Sequence, residues 1–462
     1  MKPSKKKLVI IGLDCATPKT LFEDFLDDCP NIKKMVERGV YGKLRTCNPP
    51  ITIPAWMVMS TGKKAGKLGL YGFRHRKGNL YDDYWIATSY NIKEPKVWDI
   101  IAEKGLKSCI LGIPPTYPVQ PMNGWLVSGF ITPDITSNYT YPPELKEEIK
   151  ENVGNYILDA NFRVEEKSDL LKEIYEMTKV QFKTVKYLMQ NKEWDYFKFV
   201  IIGLDRFHHA FWKYYDKNHQ KYEPRNKFED EMKKFYHYLD QEVGEILDLI
   251  DENTFTMIVS DHGAKAMKGL VCVNMALEEL GLLKFKTKPR PGTRLANAEI
   301  DWDKTYAWGW GGYYARIFLN VEGREPNGII KKNDYAKVRD EVIKKLKTIK
   351  DKNGNPMNTI IYKPEEIYDV INGDPPDLMV YFDDLNWRSA GTVGYDSMYL
   401  DENDTGPDDA VHDWFGIYLL LDPKKKLGKN LGTKSIIDIA PTSLKILGIE
   451  IPKDMEGNVI EY

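Results

Sequence analysis

The chain has 462 residues, 42% of them hydrophobic and 12% aromatic, enough apolar material for a large buried core and too much for a disordered polymer. Its 66 basic and 68 acidic residues leave a formal net charge of -2, so no global field exists to attract duplex nucleic acid or an anionic membrane. Five cysteines, with no C-x-x-C pair, argue against a disulfide framework and a thiolate zinc site alike.

After a lysine-rich start, Met1 to Lys7, the apolar run Leu8-Val-Ile-Ile-Gly-Leu13 is far too short for a membrane span and has no small-residue cleavage site. A cytoplasmic location without a membrane span is therefore expected. The same run reads as a strand ending at Asp14, and Cys15 beyond it as a small buried apolar residue. Residues 48–62 read as a loop feeding a short helix, with Pro54 suited to its first position and Gly62 to its end. Thr52 then lies where free N–H groups and the helix dipole stabilise an anion, although a threonine there also serves as a plain cap. Arg74, His75, Arg76 and Lys77 follow, a basic run suited either to gripping an anionic group or to solvent.

A short helix at 97–103 precedes a strand at 107–113, and amphipathic patterns predict helices over 169–190 and 228–251. Between and after these helices come two further apolar runs, Phe197 to Ile202 leading to Asp205, and Phe255 to Ser260 leading to Asp261. Continuous apolar strands are buried on both faces, which predicts an α/β fold with a mostly parallel central sheet covered by helices on both faces. Ligands of such sheets bind beyond the carboxyl ends of the strands, so the three acids are placed to converge. Residues 270–366, with Pro- and Gly-rich turns and a charged helix near Tyr335 to Ile349, read as an inserted cap region. The core is accordingly expected from 1–269 and 367–462. Trp302, Tyr306, Trp308, Trp310, Tyr313 and Tyr314 in that insertion suit either an apolar ligand platform or core packing. Residues 435–448 read as a closing helix stopped by Gly448.

Asp261-His262-Gly263 sets a carboxylate beside an imidazole at a strand end, a pair able to share a metal. Asp205 and His209 are four residues apart, which stacks them on one helical face and turns His208 elsewhere. An alcohol such as Thr52 is a poor nucleophile at neutral pH unless coordination favours its alkoxide, and a two-metal site does this. Oxygen and nitrogen ligands without thiolate suit zinc, with manganese the alternative.

In order, Gly-Leu-Asp14, Thr52-Ile-Pro-Ala, Asp205-x-x-x-His209, Asp261-His262-Gly263 and the late His412 resemble the motifs of the alkaline phosphatase superfamily. The threonine before x-Pro resembles its type I phosphodiesterase/nucleotide pyrophosphatase branch. Ile113 to Pro118, Leu319 to Pro326, His412 to Gly416 and Asp438 to Thr442 resemble a microbial group of predicted phosphohydrolases or phosphomutases. The resemblance implies an alkaline-phosphatase-like fold, one divalent ion held by Asp205, His209 and His412, and a second by Asp14, Asp261 and His262. It also implies that Thr52 contacts the second ion and is transiently phosphorylated during hydrolysis of a small phosphodiester or phosphomonoester. Leu68 stands where relatives often carry a histidine, which leaves the local substrate contacts open. Sulfatase chemistry is disfavoured, since its modified Cys or Ser is absent. A phosphomutase or phosphotransferase, and a protein whose metals are only structural, are the alternatives.

Overall fold

The computed structural model describes residues 6–462; the first five residues of the lysine-rich start lie outside the described residues. The chain divides into two compact units, one of Met1–Leu68, Ala87–Ala264 and His412–Tyr462, the other of Gly69–Ile86 and Lys265–Val411. Residues 270–366 fall wholly within the second unit, which also takes in 69–86, 265–269 and 367–411.

The first unit is built on a nine-stranded sheet. In chain order its strands are β1 (Lys7–Leu13), β2 (Val40–Arg45), β3 (Ser108–Leu111), β4 (Gly124–Val127), β5 (Thr140–Tyr141), β6 (Tyr196–Ile201), β7 (Thr254–Val259), β8 (Phe415–Leu421) and β9 (Lys429–Ser435). They lie side by side as β9-β2-β8-β7-β1-β6-β3-β4-β5. The block β7-β1-β6-β3-β4 is parallel throughout, and only β8 and β5 run against their neighbours. The three apolar runs picked out by hydropathy are β1, β6 and β7, which sit together at the centre, β6 and β7 being buried at every position. That is the environment their unbroken apolar sequences require.

Helices cover both faces. They are α1 (Pro30–Arg38), α2 (Thr52–Thr61), α3 (Val97–Glu103), α4 (Lys167–Asn191), α5 (Gly203–Tyr215), α6 (Glu231–Asp248) and α7 (Ile439–Ile446). Packing joins α4 to α5, α5 to α6 and α6 to α1 in one layer, and α2 to α7 and α7 to α3 in another. Alternation along β6 shows that the layers lie on opposite sides: Phe199 meets Phe182 of α4, and its neighbour Lys198 reaches Ser60 of α2. Two local expectations shift. Ile51 is the N-cap of α2 and Thr52 its first residue, so Pro54 stands third. The closing helix is α7 preceded by a separate 3-10 turn, Ile436–Asp438. Among the described residues no helix is long and apolar enough to cross a membrane.

The second unit has its own core, in which Trp308, Phe318, Leu378 and Trp387 are buried together. An antiparallel four-stranded sheet orders Ala307–Trp310, Ala315–Leu319, Leu378–Tyr381 and Ile360–Tyr362. Helix Tyr335–Leu346 sends Val342 and Leu346 into the same core. Of the aromatic set, Trp308 and Tyr314 are packed inside, Trp302 stacks on Tyr81 at 3.5 Å between centroids, and Tyr306 remains 43% exposed. Packing therefore accounts for most of the cluster. The basic run forms a hairpin strand in which Arg76 pairs with buried Glu325 at 2.8 Å and His75 stacks on Trp85. Those two side chains are occupied by structural partners.

Candidate metal and nucleophile site

All seven side chains singled out by sequence (Asp14, Thr52, Asp205, His209, Asp261, His262 and His412) belong to the first unit and are buried. Asp14 follows β1, Asp261 and His262 follow β7, and Asp205 and His209 project from the first turns of α5 just beyond β6. These three adjacent parallel strands deliver their loops to one edge, as expected of an open α/β sheet. His412 arrives immediately before β8, the strand that pairs with β7.

Potential ligand atoms gather in three overlapping groups, each within 4.8 Å: Asp14, Asp261 and His262; Asp205, His262 and His412; and Cys15, Asp205 and His209. His262 thus stands between the two sets of ligands implied by the resemblance, and its ring stacks on His412 at 3.7 Å. His262 Nε2 lies 3.1 Å from Asp261 Oδ2 and 3.8 Å from Asp14 Oδ1. Asp205 Oδ1 lies 3.3 Å from His209 Nε2 and 3.9 Å from His412 Nε2. The Thr52 hydroxyl is 3.2 Å from His262 Nε2 and makes no helix cap.

Each carboxylate is held by one oxygen and leaves the other bare. Trp56 Nε1–H donates to Asp14 Oδ2 at 2.7 Å, the Cys15 N–H to Asp261 Oδ1 at 3.2 Å, and Arg206 Nη1 to Asp205 Oδ2 at 2.6 Å. Asp14 Oδ1, Asp261 Oδ2 and Asp205 Oδ1 are buried without a hydrogen-bond partner. The histidines repeat the pattern: Nδ1 of His412 faces the Pro50 carbonyl at 2.7 Å and Nδ1 of His262 the Gly263 carbonyl at 3.2 Å. With Nδ1 protonated to donate to those carbonyls, each ring turns its Nε2 lone pair into the cluster.

Burial, and then the charge of Asp205, pushes Asp14 well above the usual carboxylate range; burial, and then Asp14, does the same to Asp261. Burial opposes ionisation of Asp205 too, yet His209 and the Arg206 guanidinium hold it well below that range. Burial lowers His262 to about 4 and, with its neighbouring imidazoles, drives His412 down as well. Neutral imidazoles beside crowded carboxylates with unpaired oxygens are a donor set that divalent cations satisfy and that protein groups here do not. The residues therefore fit a divalent metal centre.

Several groups at this site carry no sequence signal. Trp56 sits one helical turn after Thr52, but only the packing of α2 on the sheet brings its indole to Asp14. Arg206 is adjacent to Asp205 and is itself clamped by Asp159 at 2.7 Å and 2.9 Å. Cys15, expected as apolar filler, is buried with φ at 67° and its sulfur within reach of Asp205 and His209. His208 turns away, as its spacing predicts, to Tyr236 Oη at 3.1 Å.

Carboxylates and imidazoles gathered at the carboxyl ends of parallel strands, around a helix-borne hydroxyl, are the arrangement of a metal-dependent hydrolase. The chain belongs to the type I phosphodiesterase / nucleotide pyrophosphatase family, whose profile matches residues 8–408, and is a phosphoric ester hydrolase of the alkaline phosphatase superfamily. Its fold is similar to that of human ectonucleotide pyrophosphatase/phosphodiesterase 5, at 13% identity and a TM-score of 0.55, covering 97% of this chain and 96% of that one. The murine protein of the same name matches at 12% identity and a TM-score of 0.56 with the same coverage. So does its inactive threonine-to-alanine variant in complex with AMP. No curated protein sequence matches the chain.

Proposed function

We propose that this enzyme hydrolyses phosphate esters through a phosphothreonine at Thr52, with two divalent ions, zinc by preference, held by Asp14, Asp205, His209, Asp261, His262 and His412. The observation that carries the reading is the set of three buried carboxylates, each tethered by one oxygen and open at the other, within reach of the Thr52 hydroxyl's own partner, His262. When bound, the ions supply the charge that favours the threonine alkoxide and stabilises the departing ester oxygen. The chain's own part is placement. Thr52 opens α2, which sets its hydroxyl at the positive end of the helix dipole, where a phosphoryl anion is stabilised. In the first step the Thr52 oxygen bonds to phosphorus as the ester P–O bond breaks and the alcohol leaves. In the second, water attacks the phosphothreonine, releasing the phosphate product and restoring the hydroxyl.

A nucleotide-type phosphodiester is the favoured substrate class. Support comes from the family and from AMP in the inactive threonine variant of the murine neighbour. Metal-loaded enzyme should cleave bis-p-nitrophenyl phosphate, and acid quenching during turnover should leave a phosphate on the peptide containing Thr52. Hydrolysis without that modification, and undiminished in Thr52→Ala, would rule out the threonine pathway. A phosphotransferase would be recognised by capture of the phosphoryl group on an added alcohol in place of water. A purely structural role for the metals would appear as stoichiometric zinc without turnover of any ester.

A further inference from the structure

Lys198 lies in the middle of β6, in the centre of the sheet, and is completely buried. Its ammonium has one hydrogen bond, from Nζ to Ser60 Oγ at 2.7 Å, and faces the Trp56 ring at 5.6 Å from the centroid. An ammonium offers three donors, so this burial is costly, and burial alone pushes the group down to about 7. A methionine of similar length would fill the same space without that cost. A buried amine retained at such expense calls for a role that packing does not supply.

The role is visible in the spacing of α2. Thr52, Trp56 and Ser60 are four residues apart and form one stripe along a helix that is buried at all ten positions. Lys198 grips the far end of the stripe at Ser60 and touches its middle at Trp56, while the near end is the Thr52 hydroxyl. Trp56 in turn donates its indole N–H to Asp14 Oδ2 at 2.7 Å. The indole has little freedom, since a Cβ on Gly12 would come within 2.6 Å of its ring. A cation against the ring face draws electron density from the indole and makes its N–H a stronger donor to a carboxylate.

We propose that Lys198 is a positioning residue: anchored on Ser60 and the Trp56 ring, it sets the register of α2 that places Thr52 and strengthens the hold of Trp56 on Asp14. The inference rests on the metal and threonine roles proposed above. Full-length protein carrying Lys198→Met, Trp56→Phe or both is compared with wild type for zinc affinity by chelator competition, kcat and KM on bis-p-nitrophenyl phosphate, and melting temperature. Lys198→Met is expected to melt no lower than wild type, yet to bind zinc about tenfold more weakly and lose about tenfold in kcat, with KM changed by less than about twofold. Because Lys198 acts on Asp14 through the indole, the double variant should bind zinc no more weakly than Trp56→Phe alone.

Wild-type affinity and kcat in Lys198→Met, or losses of zinc affinity that multiply in the double variant, overturn the proposal. So does a fall in melting temperature that accounts for the lost activity, since that marks a merely structural lysine. Should Lys198→Met fail to fold, Ser60→Ala keeps the lysine and removes its acceptor. Reduced kcat at unchanged KM then supports the proposal, and an unchanged kcat refutes it. A wild-type protein that binds no zinc and cleaves no ester removes the functional reading and this inference with it; an active wild type matched by Lys198→Met removes only the inference.

Discussion

Two groups of buried carboxylates, one in each unit, are treated in opposite ways. In the second, Asp377 accepts from Arg324 at 2.8 Å and 2.6 Å, from the Tyr335 hydroxyl at 2.6 Å and from the Leu319 N–H at 2.6 Å. Glu325 is likewise shared between Arg324, Arg76 and the Val321 N–H. Every oxygen of those two carboxylates has a partner. In the first unit Asp14, Asp205 and Asp261 are as deeply buried, and each keeps one oxygen without any. Saturated carboxylates hold a fold together, whereas half-satisfied ones held rigidly in place cost stability and make sense as ligands.

Four measurements press on that contrast. The greatest effect is expected for Thr52→Ala, which should lower kcat on the order of a thousandfold or more while zinc content, read by elemental analysis, stays at the wild-type level. Asp205→Ala should instead lose both metal and turnover, so equal zinc in the two variants would erase the distinction between nucleophile and ligand. In the second unit Asp377→Ala takes from Arg324 one of its two carboxylates, strips the Leu319 N–H and the Tyr335 hydroxyl of their acceptor, and should cost about 3 kcal/mol in denaturant unfolding, with metal content untouched. Adding zinc to about 100 times its dissociation constant should stabilise metal-free protein by about 2.7 kcal/mol. Asp377→Ala should keep that gain and Asp261→Ala should lose it.

The smallest effect is a slope. Burial lowers His75 from 6.5 to about 3, so below 6.5 the unfolded chain binds a proton that the folded one refuses. Its contribution is complete above 6.5 and is lost as pH falls from there toward 3. Replacing it by Gln should flatten the acid limb of the stability curve by up to one proton, and an unchanged limb would show that the ring titrates freely.

The centre of the fold was legible because β1, β6 and β7 are continuous apolar runs, a pattern that burial on both faces imposes. The sheet's margin was not. β9 reads Lys-Asn-Leu-Gly-Thr-Lys-Ser and is largely exposed, so its pairing with β2 comes from its neighbour and not from its own hydropathy. The site divided along the same line. Carboxylates at strand ends and the Asp205, His209 spacing are local features, and the structure places all of them in one cluster. Trp56, Arg206 and the Pro50 carbonyl had no signal, because an indole, a guanidinium or a main-chain oxygen becomes a support only when a distant element sets a ligand beside it. The left-handed turn at Cys15 was hidden for a related reason, since that backbone conformation ordinarily announces itself with glycine.

The position of β8 has a consequence for how the molecule is made. It is inserted antiparallel between β2 and β7, yet it is spelled out only at residues 415–421, after the whole second unit. Until the ribosome has delivered it, the apolar edge of β7 is open and β2 has no link to the rest of the sheet. A nascent or truncated chain ending before 412 therefore displays a bare strand edge of the kind that recruits other chains, and it also lacks His412. Completion of the barrier against aggregation and completion of the proposed ligand set are the same late event.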